Sequence, residues 1–307
     1  MDEKLVKAAG IRFKSILTGK LRRYFSLRNF IDPIFVLAGF FQSLWIIARF
    51  RPDAVFAKGG FVCLPVACAA FILRRPIVLH ESDSIMGLSN RIISRMAKKV
   101  CTSFPDVIGC PENGKIVFTG NPVRPSILNG SAEKGYALTG FRPERPVVLA
   151  WGGSQGSQQI NDLIVNSFHK VKSKFQFIHI TGSGKHTQIS DSEYKQFEYV
   201  DADLKHIYAI TDIIIGRSGA NSLYEIALMQ KPNILIPLKS SAHDHQRLNA
   251  EYFEKSGASI ILRNESLADM LVALLNNSKK MNDMKEALGR IAKPDAAKQI
   301  AELLLKI

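Results

Sequence analysis

The chain has 307 residues, of which 46% are hydrophobic and 22% charged, a composition that excludes a disordered chain and allows one large or two ordinary domains. Its formal net charge of +14 indicates an anionic partner: nucleic acid, an acidic membrane surface or a phosphorylated substrate. Because no basic run flanked by aromatic residues stands out, we favour the membrane and a phosphorylated substrate, and we expect no nucleic-acid partner.

The cysteine pattern and the first residues favour a cytosolic location. The four cysteines, Cys63, Cys68, Cys101 and Cys110, form no Cys-x-x-Cys pair, which predicts reduced thiols instead of a zinc site. The polar residues after Met1 do not resemble a signal peptide. We therefore expect any membrane contact at the cytoplasmic face, as a peripheral association.

A long apolar segment, 31–50, predicts a helix that begins at Asp32 and Pro33. It is barely long enough to span a bilayer and contains Gly39 and Gln42, so we favour a helix buried between sheet and surface over a membrane span. Its flanks are basic and aromatic: Lys20, Arg22, Arg23, Tyr24, Phe25, Arg49 and Arg51. Such flanks are typical of a surface that touches anionic lipid, although a solvated charged face beside a core helix has the same pattern.

Apolar runs of strand length then alternate with helical patterns. The first series predicts strands at 53–57, 77–80, 100–103 and 116–120, with helices at 61–73 and 88–98. The second series predicts strands at 147–151, 175–181, 199–200, 212–215, 234–237 and 259–262. A last amphipathic helix starts at Pro294, and we expect it to contact no strand. This alternation is typical of parallel, doubly wound α/β sheets.

The division into domains follows from composition. The segment around 126–145 is rich in glycine, proline and charge and has no sustained periodicity, which predicts a linker. We expect an N-terminal domain at 1–125, a C-terminal domain at 146–293, and a terminal helix at 294–307 that packs back toward the first domain. A cleft between the two domains follows from this arrangement.

A glycine-rich loop follows the predicted strand 147–151 and precedes a helix. It contains Gly152, Gly153, Ser154, Gln155 and Gly156. Glycines allow a sharp turn and close approach to an anion, and the amides at a helix start carry partial positive charge. The loop therefore predicts a diphosphate site. The alternative is that the glycines serve only tight packing. It matches neither the dinucleotide fingerprint nor the P-loop.

Further polar turns follow other predicted strands. Arg217–Glu225 makes a second strand-to-helix turn, in which Glu225 either accepts hydrogen bonds from ribose hydroxyls or only complements the helix dipole. His243 and His245 could bind a metal, but a hydrogen-bonding loop is favoured because further ligands are lacking. For Asn90 and Arg124, a cap and a salt bridge are the alternatives to ligand contact.

Taken in chain order, the motifs resemble those of the MurG family of bacterial glycosyltransferases. They are Gly59-Gly60-Phe61-Val62, His80-Glu81 with Gly87-Leu88-Ser89-Asn90-Arg91, Gly120-Asn121-Pro122-Val123-Arg124, the glycine loop at Gly152, Arg217-Ser218-Gly219-Ala220 with Glu225, Asp244-His245-Gln246 with Asn249-Ala250, and Pro294-Asp295-Ala296-Ala297. The resemblance implies a GT-B fold of two Rossmann-like domains. It also implies inverting transfer of N-acetylglucosamine from UDP-N-acetylglucosamine to an undecaprenyl-diphosphate-linked muramoyl-pentapeptide, without a required metal or cofactor.

The resemblance also implies residue roles. The donor-binding residues would be Asn90, Arg124, Ser154, Val200, Ala220, Asn221, Ser222, Leu223, Tyr224, Glu225 and Gln246. Gly152, Gly153, Gln155 and Gly156 would form the phosphate loop, and Gly59 and Gly60 the acceptor side. His80 and Glu81 are the candidates for a catalytic base, a role that the sequence does not assign to any residue.

One departure from the family pattern is at the start of the chain. Family members begin with an additional strand and a GGTGGH-like loop, for which this sequence has no counterpart. We therefore expect a first domain that is truncated at its N-terminus. A catalytically impaired UDP-sugar-binding remnant and a nucleotide-sugar 2-epimerase of the same architecture stay open as alternatives to the transferase.

Overall fold

The computed structural model describes residues 3, 6–7, 9–19, 28–111, 114–153, 155–238 and 244–307. The first part of the chain forms a four-stranded parallel sheet in the order β1-β2-β3-β4. Its elements are α1 (Arg28–Phe50), β1 (Val55–Ala57), α2 (Cys63–Ile72), β2 (Ile77–Glu81), α3 (Leu88–Met96), β3 (Lys99–Thr102) and β4 (Ile116–Phe118). Every residue of β2 is buried, as expected for a strand covered on both faces.

The second part of the chain forms a six-stranded parallel sheet in the order β10-β9-β8-β5-β6-β7. Its elements are α4 (Ala132–Thr139), β5 (Val147–Trp151), α5 (Gln158–Val171), β6 (Gln176–Ile180), β7 (Tyr194–Phe197), α6 (Leu204–Ile210), β8 (Ile213–Gly216), α7 (Ala220–Met229), β9 (Asn233–Leu235), α8 (His245–Lys255), β10 (Ile260–Ile261), α9 (Leu267–Leu275) and α10 (Ser278–Ile291). The predicted parallel α/β alternation is confirmed. The strand order reverses between β5 and β8, and ligands bind at such a point in open α/β sheets.

The last helix, α11 (Ala296–Leu305), returns to the first sheet. Its Ile300 packs with Val78 of β2 and Cys101 of β3. Ile77 and Leu79, which alternate with Val78, lie instead in the core with α1, α2 and α3. The two faces of this sheet are therefore covered by different ends of the chain, and the prediction that the last helix contacts no strand was wrong.

The predicted linker at 126–145 is largely folded. It contains α4 and a 3-10 turn (Pro125–Leu128). Ser131 caps α4 by accepting a hydrogen bond from the Lys134 amide, and Gly140 ends the helix in a left-handed conformation at φ 75°. Ile127 and Phe141 join the core of the second domain. The helix is short, so its periodicity is hidden among glycine and charged residues, and the segment does not form an open connection.

The strand expected at 199–200 was also placed wrongly. The structure puts β7 earlier, at Tyr194–Phe197, on the edge of the sheet. An edge strand has less apolar surface to bury, which is why the polar Lys195 and Gln196 occur in it and obscure the pattern. Tyr199 and Val200 lie beyond the strand, in the loop that follows it.

Helix α1 is much more exposed than predicted. Ser43 and Ile47 are buried on the side that faces α2, but Ile34, Leu37, Phe41 and Trp45 expose between 57% and 64% of their surface. The described part of the helix, Asp32–Phe50, is long and apolar enough to cross a membrane, and only 17% of it is buried. A buried helix was expected because its apolar content is high, yet the described residues that pack on α1 leave these four side chains more than half exposed.

The start of α1 differs from the prediction as well. Pro33 lies inside the helix instead of at its first turn, because the helix already includes Arg28. The flanking residues Lys20, Arg22, Arg23, Tyr24 and Phe25 lie outside the described residues.

Candidate functional site

A cavity of about 520 Å³ lies between the two domains, at the carboxyl ends of the strands. Trp151 ends β5 and pairs with Gly216 at the end of β8, so the loops after these two strands share one edge of the sheet. Both loops contribute to the cavity, as do the residues directly after β2 in the first domain. The lining residues include Ser82, Asp83, Arg124, Trp151, Gly153, Tyr199, Val200, Asp201, Gly219, Ala220, Asn221, Ser222, Glu225 and His245.

Part of the predicted site is brought together here. The predicted residues that line the cavity are Arg124, Gly153, Val200, Ala220, Asn221, Ser222 and Glu225. They come from the connection between the domains, the glycine loop, the loop after β7 and the first turns of α7. Arg124 also forms a long ion pair with Asp201, at 3.8 Å between Nη1 and Oδ1, and both side chains are exposed. The cavity therefore combines helix N-termini with cationic and acidic side chains.

Other predicted donor residues do not present their side chains to the cavity. Leu223 is fully buried in the core of the second domain. Tyr224 is also buried, donates its hydroxyl hydrogen to the Ser103 carbonyl of the first domain, and packs edge-on against Phe104. The inward side of α7 therefore packs against the core. The spacing of the residues in the sequence did not show which of them pack in the core and which line the cavity.

Gln246 and the rest of the glycine loop have structural contacts of their own. The Gln246 side-chain oxygen accepts a hydrogen bond from the Leu238 amide at 3.0 Å. Lys185 donates to the Gln155 carbonyl at 2.9 Å. Ser154 lies outside the described residues.

Asn90 lies in the first turn of α3 and does not line the cavity. Its side-chain amide is buried and donates to Glu81 Oε2 at 2.7 Å. A Cβ on Gly59, which has φ 98°, would lie 2.7 Å from Asn90 Nδ2. Gly59 therefore has to be glycine for Asn90 to reach Glu81, and Gly60 follows with φ 89°. We conclude that Gly59 and Asn90 pack together on the first domain, whereas a Cβ on Gly60 would meet nothing within 4 Å.

Glu81 and His80, the candidate bases, are both buried. Glu81 accepts hydrogen bonds from the amides of Asp83 and Gly87, at 3.1 and 3.3 Å, in addition to the one from Asn90. Burial raises the pKa of Glu81, although these hydrogen bonds oppose the shift. The carboxylate thus shapes the loop after β2, and the structure does not present it to the cavity.

His80 is fully buried below that loop. Its Nε2 lies 3.1 Å from the Gly120 carbonyl, so Nε2 carries the hydrogen and Nδ1 accepts from Lys58 Nζ at 3.4 Å. Burial and the charge of Lys58 lower the pKa of His80 to about 4. The imidazole is therefore neutral at neutral pH, and it holds Gly120 instead of reaching a substrate.

Glu225 is the carboxylate of α7 that lines the cavity. Its Oε2 accepts a hydrogen bond from the Tyr208 hydroxyl at 3.2 Å, and Tyr208 packs edge-on against Trp151 with 5.5 Å between ring centroids. Burial raises the pKa of Glu225, while Tyr208 and the charge of Arg124 lower it. Two aromatic rings therefore fix a carboxylate that has room to accept hydrogen bonds from a pair of ligand hydroxyls.

Arg217 joins the two turns that were predicted to face an anion. Its Nη2 donates to Ser157 Oγ at 2.5 Å, and the same oxygen caps α5 by accepting from the Ile160 amide at 3.3 Å. Burial lowers the pKa of Arg217, yet a guanidinium stays charged at neutral pH. The N-terminus of α5 and the turn before α7 therefore present positive charge to the same edge of the sheet.

Replacing Gly156 by alanine is expected to disrupt the glycine loop. Gly156 has φ 67°, and a Cβ there would clash with the Thr181 carbonyl oxygen and lie 2.6 Å from Gly182 Cα, both backbone atoms. Gly153 also has a positive φ, 83°, but a Cβ would meet open space. We expect Gly153→Ala to lower the free energy of unfolding by about 1 kcal/mol and Gly156→Ala by about 3 kcal/mol. Urea unfolding measures both, and equal losses would contradict the clash.

The sequence did not single out Asp83, Trp151 or Tyr199 as site residues. Each comes directly after a strand or ends one: Asp83 follows β2, Trp151 ends β5, and Tyr199 follows β7. Asp83 and Trp151 could have been predicted as site residues from the rule that ligands bind at the carboxyl ends of parallel strands. Tyr199 was out of reach, because it was assigned to a strand.

Comparison with known proteins agrees with this architecture. Residues 147–304 match the glycosyltransferase family 28 C-terminal domain, and residues 1–102 match the glycosyltransferase family 28 N-terminal domain. A relative from Clostridium botulinum (strain Kyoto / Type A2), named UDP-N-acetylglucosamine--N-acetylmuramyl-(pentapeptide) pyrophosphoryl-undecaprenol N-acetylglucosamine transferase, is 40% identical over 316 residues, covering 100% of this chain and 88% of the relative. A relative of the same name from Clostridium tetani is 40% identical over 94% of this chain and 83% of its own length.

Solved structures share the fold. The crystal structure of Acinetobacter baumannii MurG superposes with a TM-score of 0.77 at 24% identity, covering 100% of this chain and 88% of that one. A UDP-GlcNAc 2-epimerase from Neisseria meningitidis has a TM-score of 0.68 at 15% identity, covering 100% and 89%. At such identities the likeness establishes the fold alone, which is the expected GT-B fold. The full-length relatives near 40% identity and the two domain matches decide the family: the chain belongs to glycosyltransferase family 28 and, within it, to the MurG family.

Proposed function

We propose that the protein transfers N-acetylglucosamine from UDP-N-acetylglucosamine to the muramoyl 4-hydroxyl of an undecaprenyl-diphosphate-linked muramoyl-pentapeptide. The observation that carries the proposal is the cavity between the domains, where Glu225, the first turns of α7 and the glycine loop meet Asp83 of the first domain. The two relatives described above, which cover 100% and 94% of this chain, bear the name of that transferase.

The donor would lie with its uridine diphosphate on the second domain. Glu225 accepts hydrogen bonds from the ribose hydroxyls, and the backbone at Val200 contacts the uracil. The amides at the start of α7, from Ala220 to Ser222, face the diphosphate, where the helix dipole favours negative charge. Arg124 adds a cation from the connection between the domains.

The reaction forms a bond between the muramoyl O4 and the anomeric carbon of the donor, and it breaks the bond from that carbon to the diphosphate oxygen. The departing UDP takes the electron pair, and the amides and Arg124 stabilise its developing charge. The hydroxyl proton leaves to a base, a role that buried His80 and Glu81 do not fit.

A transfer assay tests the proposal. Purified protein is supplied with radiolabelled UDP-N-acetylglucosamine and a prenyl-diphospho-muramoyl-pentapeptide acceptor, and the products are separated. We expect one equivalent of UDP for each labelled disaccharide lipid. Formation of UDP-N-acetylmannosamine without acceptor would instead identify the epimerase, and donor binding without any turnover would identify the remnant.

The membrane is the second part of the proposal. Ile34, Leu37, Phe41 and Trp45 follow a spacing of three or four residues, so they form one exposed apolar stripe on α1. Arg49 and Arg51, at the end of the helix, are exposed as well. An apolar stripe beside basic residues is typical of a helix that lies in the membrane interface.

The opposite side of the same helix argues for a peripheral contact. Ser43 and Ile47 are buried, and Phe40 and Leu44 pack against the core shared by α1, α2 and α3. A helix held to the domain along one side lies on a bilayer instead of crossing it. We infer that the stripe, defined by Ile34, Leu37, Phe41 and Trp45, rests on the cytoplasmic membrane face, where the lipid acceptor is found.

A further inference from the structure

The side chain of Asn249 links the two domains beside the donor cavity. Asn249 lies in α8 of the second domain and has no exposed surface. Its Oδ1 accepts a hydrogen bond from the Ser84 amide at 2.8 Å, and its Nδ2 donates to Asp83 Oδ1 at 2.9 Å. Nδ2 also donates to the Ser218 carbonyl at 3.2 Å. One amide thus contacts a loop from each domain.

The partners of Asn249 fix the orientation of its amide. The Ser84 amide requires an acceptor, and Asp83 and Ser218 both require a donor. Exchanging the side-chain oxygen and nitrogen would break all of these contacts. Asn249 therefore meets its partners in one arrangement, and a carboxylate at this position would face Asp83 with like charge.

The two loops held by Asn249 both lead into the cavity. Asp83 lines it from the first domain, and Ser218 is followed by Gly219 and Ala220, which line it from the second. The Asp83 amide is bound in turn by Glu81, so the backbone of this loop is held from its own domain while its carboxylate is held from the other. The position of Asp83 in the cavity thus depends on Asn249.

We propose that Asn249 is a positioning residue for the transfer reaction: it fixes Asp83 against the bound donor and holds the domains together at the cavity. This inference rests on the proposed function. Asn121 Nδ2 donates to Asn221 Oδ1 at 2.7 Å, and this hydrogen bond joins the domains as the one from Tyr224 to Ser103 does. The contact of Asn249 differs because it acts on a charged side chain in the cavity, and buried hydrogen bonds to charged groups contribute more than neutral ones.

A double-mutant cycle tests the proposal. Asn249→Asp places a carboxylate against Asp83, and the repulsion between the two carboxylates displaces the Asp83 side chain. Asp83→Asn instead provides an amide that can donate to the new carboxylate. We expect Asn249→Asp to raise the donor KM about tenfold or more in the native background but less than about threefold in the Asp83→Asn background. An equal rise in both backgrounds would overturn the proposal.

Asn233→Asp is the matched control. Asn233 is equally buried in the second domain. Its Nδ2 donates to the carbonyls of Lys231 and Ala258, at the amino end of β9 and therefore at the opposite ends of the strands from the cavity. It is expected to lower the midpoint of urea unfolding without a change in donor KM beyond about twofold. If Asn249→Asp does not fold, the cycle of Asn249→Ala with Asp83→Ala is used. Asn249→Ala must then raise the donor KM more in the native background than in the Asp83→Ala background.

A binding measurement separates this inference from the proposed function. Calorimetry with UDP-N-acetylglucosamine reports the affinity of each protein in the cycle without any turnover. If the native protein transfers no sugar, the proposed function fails, whereas unequal affinity losses in the two backgrounds still support the role of Asn249. If transfer is normal and the losses are equal, the role of Asn249 fails alone.

Discussion

Glu225→Gln is expected to weaken UDP binding by about tenfold to a hundredfold, because it replaces charge-assisted hydrogen bonds to the ribose with neutral ones. The carboxylate lines the cavity and is held there by the Tyr208 hydroxyl at 3.2 Å. Gln has nearly the same shape, so the loss reports on charge and not on packing. Isothermal titration calorimetry with UDP measures it directly.

The same variant should lose its selectivity for ribose. We expect the native protein to prefer UDP over 2′-deoxy-UDP by about tenfold and the variant by less than about threefold. Glu286→Gln makes the same chemical change at an exposed position of α10 and serves as the control. Glu225→Gln with undiminished preference for UDP would assign the residue to the helix dipole instead of the ribose.

Replacing Phe41 and Trp45 together by serine is expected to release the protein from membranes. Both side chains are more than half exposed on α1. Burying such a side chain in the interface contributes about 1.5 kcal/mol or more, so losing both should lower the partition coefficient onto anionic phospholipid vesicles by about a hundredfold. Sedimentation with vesicles of phosphatidylglycerol and phosphatidylethanolamine measures the bound fraction.

The control removes two exposed apolar side chains elsewhere. Leu128 lies near the second domain, and Leu305 lies on α11, which covers the face of the first sheet opposite to α1. The double variant Leu128→Ser/Leu305→Ser should bind vesicles as the native protein does. Equal losses of vesicle binding in the two double variants would mean that the stripe on α1 has no special role. Added salt should also weaken vesicle binding by the native protein, because Arg49 and Arg51 act through charge.

The candidate site shows how far local patterns reach. The turn from Gly219 to Ser222 and the carboxylate of Glu225 were predicted because a glycine after a strand and a new helix are local signals. The donor role of Asn90 was implied only by the resemblance to the family, and its amide is buried against Glu81. Capping, packing and ligand contact share one sequence signature, and only the neighbours in space separate them.

The predictions of a strand at 199–200 and of a buried helix at 31–50 were wrong for a related reason. Strand β7 carries polar residues because it lies at the sheet edge, and the described residues around α1 leave part of its apolar surface exposed. A residue's hydrophobicity indicates that burial is favourable, but it does not name the surface that will cover it.

The sequence by itself determined the parallel α/β alternation, the position of two glycine turns directly after strands and the resemblance to one glycosyltransferase family. Each of these depends on residues that are close together in the chain, where periodicity and backbone freedom are decisive. Only the tertiary structure placed Asp83 in the donor cavity, because Asn249, which holds it, lies 166 residues further along. It also left Ile34, Leu37, Phe41 and Trp45 of α1 exposed and buried His80 and Glu81, since burial and orientation depend on the elements that meet in space.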